Sequence, residues 1–277
     1  MARFVLVHGS WSDAAAWAAV ADRLSDAGHR VATPDLPGHG PDTTPPKEAS
    51  LDGYAAVVAK EAAALGSRVT LVGHSMAGTV ISTVGEHDPA LIAGLIYVAA
   101  FLLPSGQSLY GFTQSSPGFA QSLLLGPNLR PGDGVLDVDR DQAREIFMAD
   151  APDDVAAAAL GRLRPDPLEP LATPVVVSAE HWGRIPRSYV HTAADRAIPP
   201  AAQEEMVTGV GGVAATKALD TSHMPMLSDP EGLAAALLDL AARPTRGSKA
   251  TGGHCAATAR PLRGPRGQSC LLVAPPE

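Results

Sequence analysis

Val69-Thr-Leu-Val-Gly-His-Ser75-Met-Ala-Gly78 is the stretch on which the fold turns. Val69 to Val72 is a short β-favouring apolar run. It leads directly into a turn of small residues around Ser75, and from Ala77 to Glu86 the apolar residues recur at helical spacing. A serine between strand and helix, with small residues two places before (Gly73) and after (Ala77), has the pattern of a nucleophile elbow. The sharp turn excludes bulk at those places and lifts the hydroxyl clear of the backbone. Glycine is the commoner choice at the second place, and Ala77 departs from it by one methyl group. In a chain with 27 glycines so short a pattern also arises by chance, so its weight comes from its surroundings.

Working outward, short apolar strands alternate with amphipathic helices. The strands read as Phe4 to Val7, Arg30 to Thr33, Val69 to Val72, Leu95 to Ala99, Ser188 to His191 and Thr216 to Leu219. The helices read as Ala15 to Ala27, Asp52 to Leu65, Ala77 to Glu86 and Pro230 to Ala242, the last with Asp229 as N-cap and Pro230 at its first position. Such alternation predicts an α/β fold, a mostly parallel sheet of about six strands with helices on both faces. The interval of about 104–174 breaks the pattern. It reads as a helical lid inserted over the sheet's C-terminal edge, where ligands of open α/β sheets bind, with helical pieces at Asp141 to Asp150 and Asp153 to Leu163.

The 277 residues carry a formal charge of -8, which offers no field for a phosphate backbone or an anionic membrane. The charge is uneven: residues 243–277 hold six basic residues against Glu277, leaving -13 for residues 1–242. That Gly/Pro-rich stretch is expected to be a disordered basic tail appended to a single domain of residues 1–242. Both cysteines, Cys255 and Cys270, fall in the tail, so no disulfide staples the domain, and a cytoplasmic setting is expected. The apolar run in MARFVLVHG is too short for a signal peptide, and Ala93 to Leu103 is too short to cross a bilayer. Neither nucleic acid nor membrane is expected as a partner; a homodimer stays open.

Three further segments appear in the chain order that a nucleophile elbow on such a sheet demands. Val7-His8-Gly9-Ser10-Trp11 ends the first strand in a turn whose Ser10 amide is positioned, with that of Met76, to form an oxyanion hole. His8 itself reads as a structural histidine shaping that turn. Tyr189-Val-His-Thr-Ala-Ala-Asp195 ends a later strand in an acid able to orient a histidine, and Asp220-Thr-Ser-His223 follows the last strand. His223 alone among nine histidines lies after both Ser75 and Asp195 within the domain. Asp35 precedes the serine, the wrong place for this order, and reads as structural. Gly209-Val-Gly211-Gly-Val-Ala214 precedes a strand instead of following one, so it is no phosphate loop. Histidine spacing supports no metal site, and no cofactor is expected.

Taken together, FVLVHGSW, DLPGHG, LVGHSMAG, YVAAFLLP, YVHTAADRAIP and SHMPMLSDP resemble the α/β-hydrolase superfamily. Within it they are most similar to the branch of plant-type methylesterases and hydroxynitrile lyases with their bacterial esterase relatives. The resemblance runs from about Phe4 to Ala242 and is faint inside the lid. It implies the α/β-hydrolase fold, a triad of Ser75, Asp195 and His223, and an oxyanion hole from the Ser10 and Met76 amides. Hydroxynitrile lyases of this branch have threonine where Gly9 stands and lysine where Met224 stands, so the chain is similar to the esterase side.

Trp11, Phe101, Phe112, Phe147, Trp182 and Met224 are candidate pocket walls, implying an apolar or aromatic ester. The expected function is a carboxylic ester hydrolase with a small-molecule ester substrate in secondary metabolism or detoxification. The alternatives are a lyase or cyclase using the same residues, or a small-molecule binding protein that keeps the triad without turnover.

Overall fold

The computed structural model describes residues 1–66 and 68–243; the expected basic tail lies, apart from Arg243, outside the described residues. In chain order the strands are β1 (Arg3–Val7), β2 (Arg30–Ala32), β3 (Val69–His74), β4 (Ile92–Val98), β5 (Leu129–Pro131), β6 (Val135–Val138), β7 (Asp166–Pro167), β8 (Arg187–Thr192) and β9 (Val213–Leu219). The helices are α1 (Ala18–Asp26), α2 (Leu51–Leu65), α3 (Ala77–His87), α4 (Leu109–Ser115), α5 (Arg140–Phe147), α6 (Asp153–Leu160), α7 (Leu168–Ala172), α8 (Pro200–Val210), α9 (Pro225–Ser228) and α10 (Pro230–Ala242).

Six strands form a wholly parallel sheet in the order β2-β1-β3-β4-β8-β9. All six residues of β3 are buried, as a strand covered by helices on both faces requires. The chain leaves β1 towards β2 and returns on the other side to β3, so the order reverses between β1 and β3. Ligand crevices of open α/β sheets lie at the carboxyl ends of strands at such a switch point, and here those ends carry Gly9-Ser10 and Ser75. Between β4 and β8 the register pairs Tyr97 with Tyr189, whose rings stack at 6.4 Å.

Local signals fix the helices. Ser50 caps α2 by accepting the Gly53 N–H at 3.0 Å. Asp229 caps α10 through the Gly232 N–H at 2.8 Å, with Pro230 next. No helix among the described residues is long and apolar enough to cross a membrane.

Three expectations need correction. The helix expected over Ala15 to Ala27 is a 3₁₀ turn, Ala14–Trp17, followed by α1. Strands β4 and β9 begin three residues earlier than expected, because hydrogen bonding extends past the apolar run to Ile92 and Val213. The lid segment is not purely helical: besides α4 to α7 it holds a small antiparallel sheet, β5-β6-β7. Its strands have two to four residues, too few to display a period of two, and β6 meets β7 across about 30 residues of chain, Leu136 opposite Asp166. Asp166 also ties this small sheet to the main body. Its carboxylate lies 2.5 Å from His39 Nε2, both side chains almost wholly buried. Burial is the largest single influence and opposes a charge on His39, but the hydrogen bond to Asp166, that carboxylate's charge, the Pro37 carbonyl and the Asp35 charge together outweigh it and raise the histidine's pKa.

Candidate active site

Ser75 is one of three non-glycine residues with positive φ among the described residues, at 54°, a left-handed conformation that costs free energy and persists only where its surroundings enforce it. The enforcement is visible. The Ser75 N–H donates to the Val98 carbonyl at 3.3 Å, and the Phe101 N–H donates to the Ser75 carbonyl at 3.0 Å. Residues 99–101 are held in turn by Tyr189, whose hydroxyl donates to the Ala100 carbonyl at 2.9 Å and accepts the Ala100 N–H at 3.0 Å. A side chain at Gly73 would put its Cβ 2.6 Å from the Ala77 carbonyl oxygen, which explains the small residue two places before the serine.

The β1 turn packs just as closely. A Cβ on Gly9 would lie 2.7 Å from the Ser75 Cβ and 3.0 Å from His74 Nδ1. His8 is spent on the scaffold: its Nδ1–H donates to the Gly9 carbonyl at 2.9 Å and its Nε2 accepts the Leu36 N–H at 3.1 Å. Burial, with His39 beside it, lowers its pKa to about 3, so the ring is neutral. Asp35 is likewise structural, accepting the Ala14 N–H at 2.8 Å. Neither the Ser10 nor the Met76 amide is taken up by an acceptor among the described residues.

Asp195 and His223 meet: Nδ1 of His223 donates to Oδ2 of Asp195 at 2.8 Å, with 2% and 4% of the two residues exposed. A buried carboxylate needs every lone pair satisfied. Oδ1 accepts the Ala197 and Ile198 N–H groups, each at 2.8 Å, and Oδ2 also accepts the Thr192 hydroxyl at 2.8 Å. Gln203, fully buried on α8, reaches Oδ2 at 3.3 Å while exchanging hydrogen bonds with the Thr192 backbone. With Nδ1 donating, the tautomer leaves Nε2 of His223 as the basic nitrogen.

His74 ties this pair to the serine turn. Its Nε2–H donates to the His223 carbonyl at 2.9 Å, and the two rings lie 4.6 Å apart. Burial, reinforced by His223, pushes the His74 pKa well below the ordinary range. His74, Gln203, Thr192 and Tyr189 were not singled out from sequence. His74 had a visible signal, its place next to Ser75; the others act across folds of the chain.

Ser75 opens into a small cavity bounded by Ser10, Trp11, Phe101, Tyr110, Phe119, Leu124, Leu136 and Leu171, among others. Its lining carries no charged residue. Of the expected walls, Trp11 and Phe101 line it, and the Trp11 indole N–H donates to the Leu136 carbonyl at 2.8 Å. Four do not. Phe112 stands behind the wall, edge-on to Phe101 at 6.1 Å and Phe119 at 6.3 Å. Phe147 packs between Trp11 and His223, at 5.6 and 5.8 Å. Met224 is buried beside it, its N–H bound to the Phe147 carbonyl at 3.0 Å. Trp182 lies against Gly85, near the far end of α3 from Ser75, about 15 Å away at helical rise. There its indole N–H donates to the Tyr97 hydroxyl at 3.0 Å and its ring carries the Arg187 guanidinium at 3.9 Å.

With this geometry in place, residues 4–236 match the family described as the alpha/beta hydrolase family. The pyrethroid hydrolase of Sphingobium wenxiniae is 33% identical over 87% of this chain and 88% of its own. Methylesterase 7 of Arabidopsis thaliana is 30% identical over 86% of this chain and 96% of its own. The crystal structure of a pyrethroid hydrolase from Sphingobium faniae JZ-2 superposes with a TM-score of 0.81, at 31% identity, over 88% of this chain and 98% of that one. The chain belongs to the alpha/beta hydrolase family and is an esterase-type enzyme of the branch that holds these plant methylesterases and bacterial hydrolases.

Proposed function

We propose that this chain is a serine esterase for small, largely apolar or aromatic carboxylic esters, working through Ser75, His223 and Asp195. The observation that carries the reading is the conjunction at one sheet edge of a left-handed Ser75 and a buried His223–Asp195 pair at 2.8 Å, beside an uncharged cavity. Asp195 holds the tautomer and stabilises the imidazolium as it forms. His223 Nε2 takes the Ser75 hydroxyl proton while Oγ bonds to the ester carbonyl carbon, and the negative charge moves to the carbonyl oxygen. The Ser10 and Met76 amides receive that oxyanion, each donor contributing about 3 to 4 kcal/mol to the transition state. The alcohol leaves with the proton from His223. Water, deprotonated by His223, then attacks the acyl-serine and releases the acid.

Gly9 and Met224 favour hydrolysis over the lyase alternative. The space a threonine would need is closed by Ser75 and His74, and no ammonium stands after His223 to receive a leaving anion. The absence of cysteine from residues 1–242 suits a cytoplasmic setting.

A fluorophosphonate adduct on Ser75, with turnover of methyl and aryl esters reduced on the order of 10⁴-fold or more in Ser75→Ala, is the expected result. Full turnover in that variant overturns the mechanism. Tight ligand binding with negligible hydrolysis across methyl, aryl and thio esters would instead favour the binding-protein alternative.

A further inference from the structure

The segment that bears His223 is gripped from outside the sheet. Asp150, just beyond α5 in the insertion between β4 and β8, accepts the Ser222 N–H on Oδ2 at 2.9 Å. Its Oδ1 accepts the Ser222 hydroxyl and, at 2.6 Å, the Ser228 hydroxyl. Ser222 immediately precedes His223 and Ser228 closes α9, so one carboxylate ties together both ends of the seven residues carrying the histidine. Three residues earlier in the same insertion, the Phe147 carbonyl accepts the Met224 N–H at 3.0 Å. The residues on either side of His223 thus each donate a backbone N–H to the segment Phe147 to Asp150.

We propose that Asp150 is a positioning residue for His223, through which the insertion, and not only the sheet, sets the register of the base against Ser75. This rests on the reading of His223 as the general base. Side chains that act in proton transfer must be held closely, and a misplacement of about 1 Å costs on the order of 10²-fold in rate. Loop backbone by itself does not hold a ring to that tolerance. A carboxylate receiving three hydrogen bonds, two of them from the residue before the histidine, restrains the peptide plane from which the ring projects. Burial pushes the Asp150 carboxyl up, but the bonds from Ser222 and Ser228 outweigh it and hold it below the ordinary carboxylate range; it therefore stays an acceptor at neutral pH. Asp150 is itself exposed, but Ser222 is buried, so truncating the carboxylate leaves the Ser222 N–H without its acceptor, whereas Asp150→Asn keeps an acceptor oxygen.

The test uses the full chain and p-nitrophenyl butyrate as probe. Asp150→Asn and Asp150→Ala are expected to lower kcat by about 10- to 100-fold with KM within about twofold. Asp150→Glu should recover part of that loss, and Ser222→Ala, which keeps the backbone bond, should lose less. Asp150→Asn combined with Ser222→Ala should be no slower than Asp150→Asn alone, because both remove the same clasp. Fluorophosphonate labelling of Ser75 should slow in parallel. Wild-type kcat and labelling rate in both Asp150 variants overturn the positioning role and leave the esterase reading standing. Losses that follow the fraction of folded protein and add in the double variant also overturn it. A wild-type chain that neither labels nor turns over ester overturns both readings together.

Discussion

His74 and His223 are joined by a hydrogen bond that runs from a side chain to a backbone: the His74 Nε2–H donates to the His223 carbonyl at 2.9 Å. The residue beside the nucleophile thereby fixes the peptide that carries the base, and the two halves of the site are held to each other without passing through the reacting atoms. His74→Phe keeps a flat ring but leaves a buried carbonyl without its donor, at a cost of about 1–3 kcal/mol. We expect a fall of about tenfold or more in kcat on an aryl ester, with His74→Gln, which retains an N–H donor, losing less. Equal kcat for wild type and His74→Phe would show that the bond is idle.

Gly9→Ala tests the packing between the β1 turn and the elbow. A Cβ there sits 2.7 Å from that of Ser75, closer than side chains tolerate without displacement. Ester turnover should fall by about tenfold or more through misplacement of the serine and the Ser10 amide, while circular dichroism stays unchanged. Undiminished turnover would mean the turn yields freely.

Gln203→Leu removes the amide that bridges Asp195 and Thr192. The Thr192 N–H and carbonyl, bound at 3.1 and 3.2 Å, would lose their partners inside a buried site. The expected outcome is about 2–4 kcal/mol of destabilisation in denaturant titrations, together with a lower kcat. A loss of unfolding free energy below about 0.5 kcal/mol would contradict it.

Leu124→Ala should enlarge the cavity beside Ser75. With about 0.8 kcal/mol per buried methylene, the ratio of kcat/KM for a hexanoyl over an acetyl p-nitrophenyl ester should rise several-fold. A ratio that stays constant would place the acyl group elsewhere.

Stability should fall as the pH drops from about 6.5 to about 4.5. His8, at about 3, and His74 are both held neutral by burial, whereas their unfolded forms take up protons near 6.5. The unfolded chain therefore binds more protons in this window, and stability present above 6.5 is eroded on acidification. His39 has the opposite shift, raised by Asp166. Its contribution is complete below 6.5 and is lost only as the pH rises through its folded value, so it adds no slope in the acid window. Thermal midpoints should fall across that window in wild type and fall less steeply in His8→Asn; parallel curves would exclude His8 as a source.

The legible parts of this protein were those whose meaning is local. The elbow could be read because strand, small residues and helix are contiguous from Val69 to Glu86. The order Ser75, Asp195, His223 could be read because each follows a strand whose pattern is intact, and the structure places Asp195 and His223 in contact. What could not be read depends on direction or on distant pairing. Nothing in the composition of Trp182 reveals that its indole reaches Tyr97 instead of a substrate. The strand β7 has two residues, one of them proline, and acquires its identity only from β6. Gln203 lies on α8, and its amide is useful only once Asp195 and Thr192 are folded around it.

The turn that holds Ser75 is clamped by Val98 at the end of β4 and by Phe101 just beyond it, a segment that Tyr189 on β8 holds through Ala100, and the His223 loop by groups from the insertion. No contiguous stretch of this chain contains a working site, and no partly assembled sheet does either. Recovery of ester turnover after dilution from denaturant should therefore lag the return of helical ellipticity, making the enzyme's own activity a clock for the last step of its folding.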